Sequence, residues 1–120
     1  MVDSQSFKDV QRTAESYYRA MVAGDGDRLR DLFDPRAPVA GNFEGNLLWQ
    51  SLDLFIAEAQ NLVGQHGVEE CVIEGVRIDG DLATVTVAGR YAGLWFRDHL
   101  AMIRSEGRWK IAAKTFQVVS

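Results

Sequence analysis

The sequence predicts an α+β domain in which three N-terminal helices pack on an antiparallel sheet. In the first half of the chain, apolar residues recur at the three-to-four-residue spacing of amphipathic helices. From Val68 onward the spacing changes to alternation, which is typical of strands with one buried face. Because Gly80, Gly93 and Gly107 interrupt this alternation at hairpin spacing, the second half is predicted to be a meander.

Length and composition favour one domain over residues 1–120 and restrict its partners. Hydrophobic residues make up 47% of the chain, yet no apolar run approaches the roughly 20 residues that span a bilayer. We therefore expect no membrane partner. The net charge of −4 disfavours nucleic acid. Cys71 is the only cysteine, and no leader of the secretory type opens the sequence, so a cytoplasmic location is expected.

The first helix is predicted from an apolar stripe that starts at Phe7 and ends at Val22. Ser6 and Asp9 have the spacing of a capping box at its beginning. Gly24 follows the stripe, where a left-handed residue commonly ends a helix. These signals predict a long first helix with one face on the sheet.

Two shorter helices are predicted to follow. Asp25 is the predicted N-cap of the second helix, which ends at Asp34 and Pro35. Ser51 is the predicted N-cap of the third helix, and Gly64 closes it.

Four strands are predicted after the helices. Their ranges are 68–78, 82–91, 94–104 and 108–118. The loop of residues 35–50 is expected to be irregular, with short extended pieces near Val39 and at Leu47–Trp49.

The turns also predict which face of the sheet is buried. With two-residue loops, Tyr91 lies opposite Leu94 and Arg104 lies opposite Trp109, while the hairpin at Gly80 has two possible registers. Each of these registers places the same set of residues on the inner face of the sheet. That face carries Val72, Glu74, Val76, Ile78, Ala83, Val85, Val87, Tyr91, Leu94, Phe96, Asp98, Leu100, Met102, Trp109, Ile111, Ala113 and Thr115. The outer face carries Arg77, Thr84, Thr86, Arg90, Trp95, Arg97, His99, Lys110 and Lys114.

Two segments carry a family resemblance. They are "AMVAGDGDRLRDLFDP", which follows a tyrosine-bearing helix, and "FRDHLAMIRSEGRWKIAAKTF" in the meander. With them, residues 7–118 resemble the nuclear transport factor 2-like superfamily, and most closely its SnoaL-like or "putative lumazine-binding" bacterial members. The resemblance implies a cone-shaped, cystatin-like fold, in which a strongly curved sheet wraps the first helix and encloses a pocket. Members include isomerases, cyclases, dehydratases and transport adaptors, so the fold leaves the function open.

Asp98 is a carboxylate within the predicted apolar inner face, between Val87 and Thr115 of the neighbouring strands. Burying a carboxylate is costly unless it is hydrogen-bonded or protonated. Asp98 is therefore either a structural carboxylate or a general acid or base in a pocket. The resemblance implies the second role, because isomerases and cyclases of this superfamily use an inward aspartate.

Tyr17 and Tyr18 lie on the first helix, and one of them should face the sheet. Its ring is either part of the core or a wall of the pocket. The resemblance to ketosteroid isomerases implies that its hydroxyl polarises a substrate carbonyl. The predicted ligand-binding residues are Met21, Trp49, Phe55, Tyr91, Phe96, Leu100, Met102 and Thr115.

The remaining reactive side chains favour structural roles. Glu74 is expected to be solvated or salt-bridged, and Cys71 to be a buried small hydrophobe. His99 should point away from its neighbour Asp98, and together with His66 it lacks the spacing of a metal site. Without phosphate-binding, serine hydrolase, CxxC or HExxH motifs, no cofactor or metal is expected.

The outer sheet face suggests a homodimer. Trp95 lies there, and Phe116 is expected beside Arg97 on the same face. Exposed aromatic residues of this kind commonly mark an interface.

Three functions therefore remain open. The first is a protein that binds a small apolar or aromatic molecule in the pocket. The second is an isomerase, cyclase or dehydratase with Asp98 as base and Tyr17 or Tyr18 as electrophile. The third is a protein-interaction adaptor, which an open apolar mouth would favour.

Overall fold

The computed structural model describes residues 4–119, and it contains three helices and six strands in that part of the chain. The helices are α1 (Ser4–Ala23), α2 (Gly26–Leu32) and α3 (Leu52–Asn61). The strands are β1 (Val39–Phe43), β2 (Asn46–Gln50), β3 (Cys71–Asp79), β4 (Leu82–Tyr91), β5 (Leu94–Ser105) and β6 (Arg108–Val118).

The six strands form one sheet in the order β2-β1-β6-β5-β4-β3, with the helices packed against it. All pairings between the six described strands are antiparallel except that of β1 with β6, and Phe33 adds an isolated parallel bridge to Ile111 of β6. The predicted fold class is therefore confirmed. The predicted extended pieces belong to a β1–β2 hairpin, whose turn residues Glu44 and Gly45 have φ values of 50° and 87°.

Two of the three predicted helix N-caps, Asp25 and Ser51, are confirmed. The carboxylate of Asp25 accepts a hydrogen bond from the backbone N–H of Arg28 at 3.1 Å. The hydroxyl of Ser51 accepts one from Leu54 N–H at 3.2 Å. The prediction for Ser6 was wrong, because α1 already includes Ser4 and Ser6 lies within the helix. Its hydroxyl accepts a hydrogen bond from Arg104 instead.

The hairpin turns confirm the predicted starting registers. Tyr91 pairs with Leu94 in the β4–β5 hairpin, and Arg104 pairs with Trp109 in the β5–β6 hairpin. In the turn of the β5–β6 hairpin, Glu106 and Gly107 have φ values of 53° and 74°. Positive φ at both loop positions matches the right-handed twist of the flanking strands.

A bulge in β6 then changes the register. Met102 pairs with Ile111, but the next residue of β5, Ala101, pairs with Ala113, so that Ala112 has no partner on β5. One extra residue turns every following side chain to the opposite face.

This bulge overturns the predicted faces at the end of β6. Lys114 is 5% exposed and lies on the inner side, whereas Thr115 is exposed. The predictions of an inward Thr115 and an outward Lys114 were therefore wrong, and the same shift places Ala113 opposite the exposed Ala101. Asp98 pairs with Phe116 rather than with Thr115, so Phe116 lies on the inner side as well.

A second register shift lies in β3, between Ile73 and Gly75. Ile73 packs against the core, while Val72 is 51% exposed, so the predicted inward position of Val72 was wrong. Glu74 is also exposed and faces outward. There it accepts a hydrogen bond from Arg97 Nε at 2.7 Å, as the salt-bridged interpretation predicted.

The core lies between the inner face of the sheet and the helices. Tyr17 on α1 contacts Phe33 edge-on, and Phe33 contacts Phe55 on α3, at centroid distances of 5.8 and 5.9 Å. Tyr18 lies against Gly89, where any Cβ would come within 2.6 Å of the ring. The glycine therefore permits α1 to approach β4 closely.

The turn of the last hairpin offers a test of local strain. Glu106 has a φ of 53°, a conformation that asparagine adopts more easily than glutamate. We expect Glu106→Asn to raise the free energy of unfolding by about 0.5–1 kcal/mol in urea denaturation. Gly107→Ala is the matched control and should lower it by about 1 kcal/mol or more. An unchanged or lower stability of Glu106→Asn would contradict this account of the turn.

Candidate functional site

A cavity of about 260 Å³ lies between α1, α3, the β1–β2 hairpin and the inner face of β4–β6. Its wall is mostly apolar and includes the rings of Phe43, Phe55, Tyr91, Phe96 and Phe116. The rings support one another. Phe96 stacks on Phe43 at a centroid distance of 6.2 Å and contacts Tyr91 and Phe116 at 5.8 and 6.0 Å. Such mutual packing holds the apolar wall in place.

Three polar groups form a buried cluster next to this cavity, and two of them, Asp98 and Lys114, line it. The hydroxyl of Tyr17 donates a hydrogen bond to Asp98 Oδ2 at 2.5 Å. Lys114 Nζ lies 3.8 Å from the same carboxylate oxygen. Asp98 and Lys114 are each 5% exposed, and Tyr17 is fully buried. The fold therefore collects an acid, an amine and a phenol beside a mostly apolar wall.

Aromatic rings surround the amine of Lys114. Nζ lies 4.2, 5.2, 5.3 and 5.9 Å from the ring centroids of Phe55, Tyr17, Phe116 and Tyr91, respectively. Within residues 4–119, its hydrogen bond is to the thioether sulfur of Met21, at 3.6 Å. Ring faces attract cations, and the effect increases away from water. The rings thus offset part of the cost of burying the charge.

Burial shifts the pKa values of Lys114 and Tyr17 in this cluster. It lowers the pKa of Lys114, and the carboxylates of Asp98 and Glu58 oppose that shift. Burial raises the pKa of Tyr17 well above its ordinary value, and the carboxylate of Asp98 adds to the effect. Tyr17 therefore stays a neutral hydroxyl donor at neutral pH.

A second acid–phenol contact lies in the cavity wall, between α3 and β4. The hydroxyl of Tyr91 donates to Glu58 Oε2 at 3.4 Å. Burial, with the charge of Glu58 second, raises the pKa of Tyr91. Glu58 and Gln50 both line the cavity, so its polar atoms are not confined to the cluster around Asp98.

The sequence left open whether Tyr17 or Tyr18 directs its hydroxyl into the cavity, and the structure distinguishes the two. Tyr18 donates its hydroxyl proton to the carbonyl oxygen of Arg90 at 2.7 Å and accepts from Glu70 N–H at 3.2 Å. Because backbone groups occupy that hydroxyl, Tyr18 contributes only its ring to the cavity wall. The prediction of a polarising hydroxyl on Tyr18 is therefore wrong.

The predicted ligand-binding residues divide into three groups. Lining the cavity are Met21, Phe55, Tyr91 and Phe96. Leu100 and Met102 are buried in the core beside it. Trp49 is 70% exposed, because its neighbours Leu48 and Gln50 take the inward positions of β2. The inward positions predicted for Trp49 and, above, for Thr115 are corrected accordingly.

Sequence reasoning missed Lys114, Glu58 and Gln50 as cavity residues. Lys114 was assigned to the outer face because the register was continued without the bulge at Ala112. That bulge lies in a run of small residues and has no turn signature of its own. Glu58 lies within α3 and Gln50 is the last residue of β2. The direction of their side chains depends on how α3 and β2 pack against the sheet.

His66 supports the rim of the cavity. Its Nδ1 accepts a hydrogen bond from Ala92 N–H at 2.9 Å, and its ring stacks on Tyr91 at 4.6 Å. Nε2 is buried and finds no hydrogen-bond partner within residues 4–119. Burial lowers the pKa of His66, so the neutral imidazole is the form that the fold favours.

The other reactive residues lie away from the cluster. His99 is exposed on the face opposite to Asp98, as predicted. Cys71 is half-buried, and burial raises the pKa of its thiol to about 11. Over the described residues, no group of three or more His, Cys, Asp or Glu side chains could hold a metal ion. None of the helices described is long and apolar enough to cross a membrane.

Comparisons with known proteins agree with this fold. The family model described as "Putative lumazine-binding" matches residues 5–117. A nuclear transport factor 2-like protein of unknown function from Silicibacter pomeroyi is 32% identical, with a TM-score of 0.92 over 98% of this chain and 99% of that one. The comparison with curated proteins found no match.

More distant structures share the fold alone. A nuclear transport factor 2-like protein of unknown function from Shewanella baltica is 16% identical, with a TM-score of 0.89 over 100% of this chain and 98% of its own. A cystatin-like fold protein from Burkholderia xenovorans is 21% identical, with a TM-score of 0.76 over 98% and 95%.

Three helices packed against a six-stranded, mostly antiparallel sheet are typical of the nuclear transport factor 2-like class of proteins, and the similarity to the protein from Silicibacter pomeroyi supports this assignment. Within that class, the chain belongs to the family described as "Putative lumazine-binding".

The environment of His66 predicts a pH dependence of stability. Because its pKa is lower in the folded state than in the unfolded state, the unfolded chain binds the proton first as pH falls below about 6.5. We expect wild-type stability to fall between pH 7 and pH 5.5 more steeply than that of His66→Gln. Urea denaturation across this range measures the two slopes. His99→Gln, which changes an exposed ring, should keep the wild-type slope, and equal slopes for all three proteins would refute the assignment.

Proposed function

We propose that this protein binds a small, neutral aromatic molecule in the cavity. The observation that carries the proposal is the combination of a wall rich in aromatic rings with the buried cluster of Tyr17, Asp98 and Lys114. Small-molecule sites combine a mostly apolar lining with a few convergent polar groups. In this arrangement the rings contact the faces of the ligand and the cluster contacts its polar edge.

Size and charge restrict the class of ligand. A volume of about 260 Å³ lies just below the roughly 300–1,000 Å³ of typical small-molecule sites, which suits a molecule of one or two rings. The amine of Lys114 faces two carboxyl groups, those of Asp98 and Glu58. An anionic ligand would meet more acidic than basic groups, so a neutral carbonyl compound fits better.

The family description suggests a first probe. Lumazine is a planar two-ring heteroaromatic molecule with carbonyl oxygens, and the family bears its name. Those properties match the aromatic wall and the adjacent donor and acceptor at Lys114 and Asp98.

Ligand-detected NMR can test this function with lumazine and other neutral one- and two-ring aromatic compounds. We expect saturable binding by at least one of them. Phe43→Ala should weaken it about tenfold, or roughly 1.4 kcal/mol, through lost ring contact. Trp49→Ala is the matched control, because that ring is exposed on the neighbouring strand. Absence of saturable binding from the whole panel, or equal weakening by both variants, would argue against a binding cavity.

A second candidate function is proton transfer next to a carbonyl group. The contact of Tyr17 with Asp98 favours it, because a buried, hydrogen-bonded carboxylate in a cavity is a suitable general base. The family resemblance implies a tyrosine as the electrophile. In the structure the proton of Tyr17 points to Asp98, so the amine of Lys114 is the better donor to a developing enolate oxygen.

Solvent deuterium exchange measures such a step. With α-tetralone, a two-ring aromatic ketone, we expect the wild-type protein to accelerate exchange at the α-carbon above the buffer rate. Asp98→Asn should reduce the acceleration by about 100-fold or more. Thr115→Val, on the exposed side of β6, should leave it unchanged. Exchange at the buffer rate, or an active Asp98→Asn variant, would exclude this mechanism.

The homodimer predicted from the sequence stays a proposal. Of its two candidate interface residues, Trp95 and Phe116, one no longer supports it. Trp95 is half-exposed on the outer face, with the guanidinium of Arg90 over its ring at 5.3 Å. Phe116, the other candidate, lines the cavity instead. The outer face therefore offers Trp95 for such a contact.

A further inference from the structure

The partners that the structure describes in residues 4–119 leave the amine of Lys114 incompletely satisfied. An ammonium group can donate three hydrogen bonds, yet its hydrogen-bonded partner is the weak thioether acceptor of Met21. The carboxylate of Asp98 lies beyond hydrogen-bond distance, at 3.8 Å. The side chain is nevertheless almost fully buried and lines the cavity. A reactive amine therefore borders an apolar space that suits an aromatic molecule.

Lys114 differs from the other lysines of the chain. Of three lysines, Lys8 is exposed on α1 and Lys110 is half-buried, with its amine donating to the backbone carbonyl of Asp31. A buried lysine releases its proton more readily than an exposed one, and its neutral amine is a nucleophile. Asp98 lies close enough to take the proton after a small movement.

We propose that Lys114 forms a reversible imine with the carbonyl carbon of a small aromatic aldehyde or ketone held in the cavity. This inference rests on the proposed function, because it assigns a chemical class of ligand to the same site. It adds a covalent step that the binding proposal does not require.

The step balances with the groups present. The ammonium of Lys114 transfers one proton to the carboxylate of Asp98, and the neutral nitrogen attacks the carbonyl carbon to form a carbinolamine. The C–O bond then breaks as the oxygen leaves as water, using the proton held by Asp98 and the second proton of the nitrogen. A C=N bond remains, and water reverses the reaction.

The surroundings of Lys114 also suit the product. A protonated imine is a cation at the position of the former ammonium, so the rings of Phe55 and Phe116 and the carboxylate of Asp98 stabilise it in the same way. The hydrogen bond from Tyr17 keeps that carboxylate oriented during the proton transfers. Tyr17 acts here as a positioning residue.

Reductive trapping tests the proposal on the wild-type protein. The protein is incubated at pH 7 with benzaldehyde or 2-naphthaldehyde and sodium cyanoborohydride, and the modified lysine is located by peptide mass spectrometry. We expect labelling of Lys114 to exceed that of Lys8 and Lys110 by about tenfold or more, because the cavity concentrates the aldehyde beside the amine. Benzyl alcohol, which lacks the carbonyl, should compete with the labelling.

Two variants complete the test. Lys114→Arg keeps a cation but has no primary amine, so the excess labelling should vanish. Asp98→Asn should slow trapping because the proton acceptor is lost. The measurement on the wild-type protein stands by itself if either variant fails to fold.

The outcomes separate the imine from the binding function. Equal labelling of the three lysines, or labelling of Lys8 and Lys110 alone, with both aldehydes overturns the imine. If NMR then shows saturable binding of either aldehyde, the proposed binding function survives that result. If neither aldehyde binds and the aromatic panel also fails to bind, both proposals are overturned.

Discussion

The buried pair of Asp98 and Lys114 is the interaction on which the rest of the site depends. Removing two charges from water costs several kcal/mol for each ion, and their attraction offsets this only when other groups help. The hydroxyl of Tyr17 bonds the carboxylate, and aromatic rings surround the amine. The phenol comes from α1 and the charges from adjacent strands, so the pair links the helix layer to the sheet. Loss of one partner would leave an uncompensated charge in the core.

Such a pair is an expensive way to fill a core. Replacing a buried ion pair by well-packed apolar residues is often neutral or stabilising. The cavity beside Lys114 adds a second cost, because unfilled space forfeits van der Waals contacts. The chain could pack more simply with apolar residues in place of Asp98, Lys114 and Tyr17. Polar groups in a cavity, held at such a cost, are therefore better explained by what they bind or transform than by stability.

The sequence predicted what local patterns determine. The stripe of α1, the caps at Asp25 and Ser51, and the hairpin registers each arise from a few neighbouring residues. An inward Asp98 also followed, because no bulge separates it from the turn at β4. Lys114 could not be placed in the same way. The extra residue at Ala112 has no sequence signature, and one such residue inverts the faces of every residue after it.

The fold alone does not choose among the functions of its class, but the geometry around the amine narrows the choice. A tyrosine electrophile requires a free hydroxyl in the cavity, and both candidate hydroxyls are already bonded, that of Tyr17 to Asp98 and that of Tyr18 to backbone. Beside Asp98 in the cavity wall, Lys114 is the polar group whose N–H donors lack a strong acceptor within the described residues. Binding, proton transfer and imine formation would all use this amine, with Asp98 holding or exchanging its proton. All three functions therefore depend on the same pair of an acid, Asp98, and an amine, Lys114.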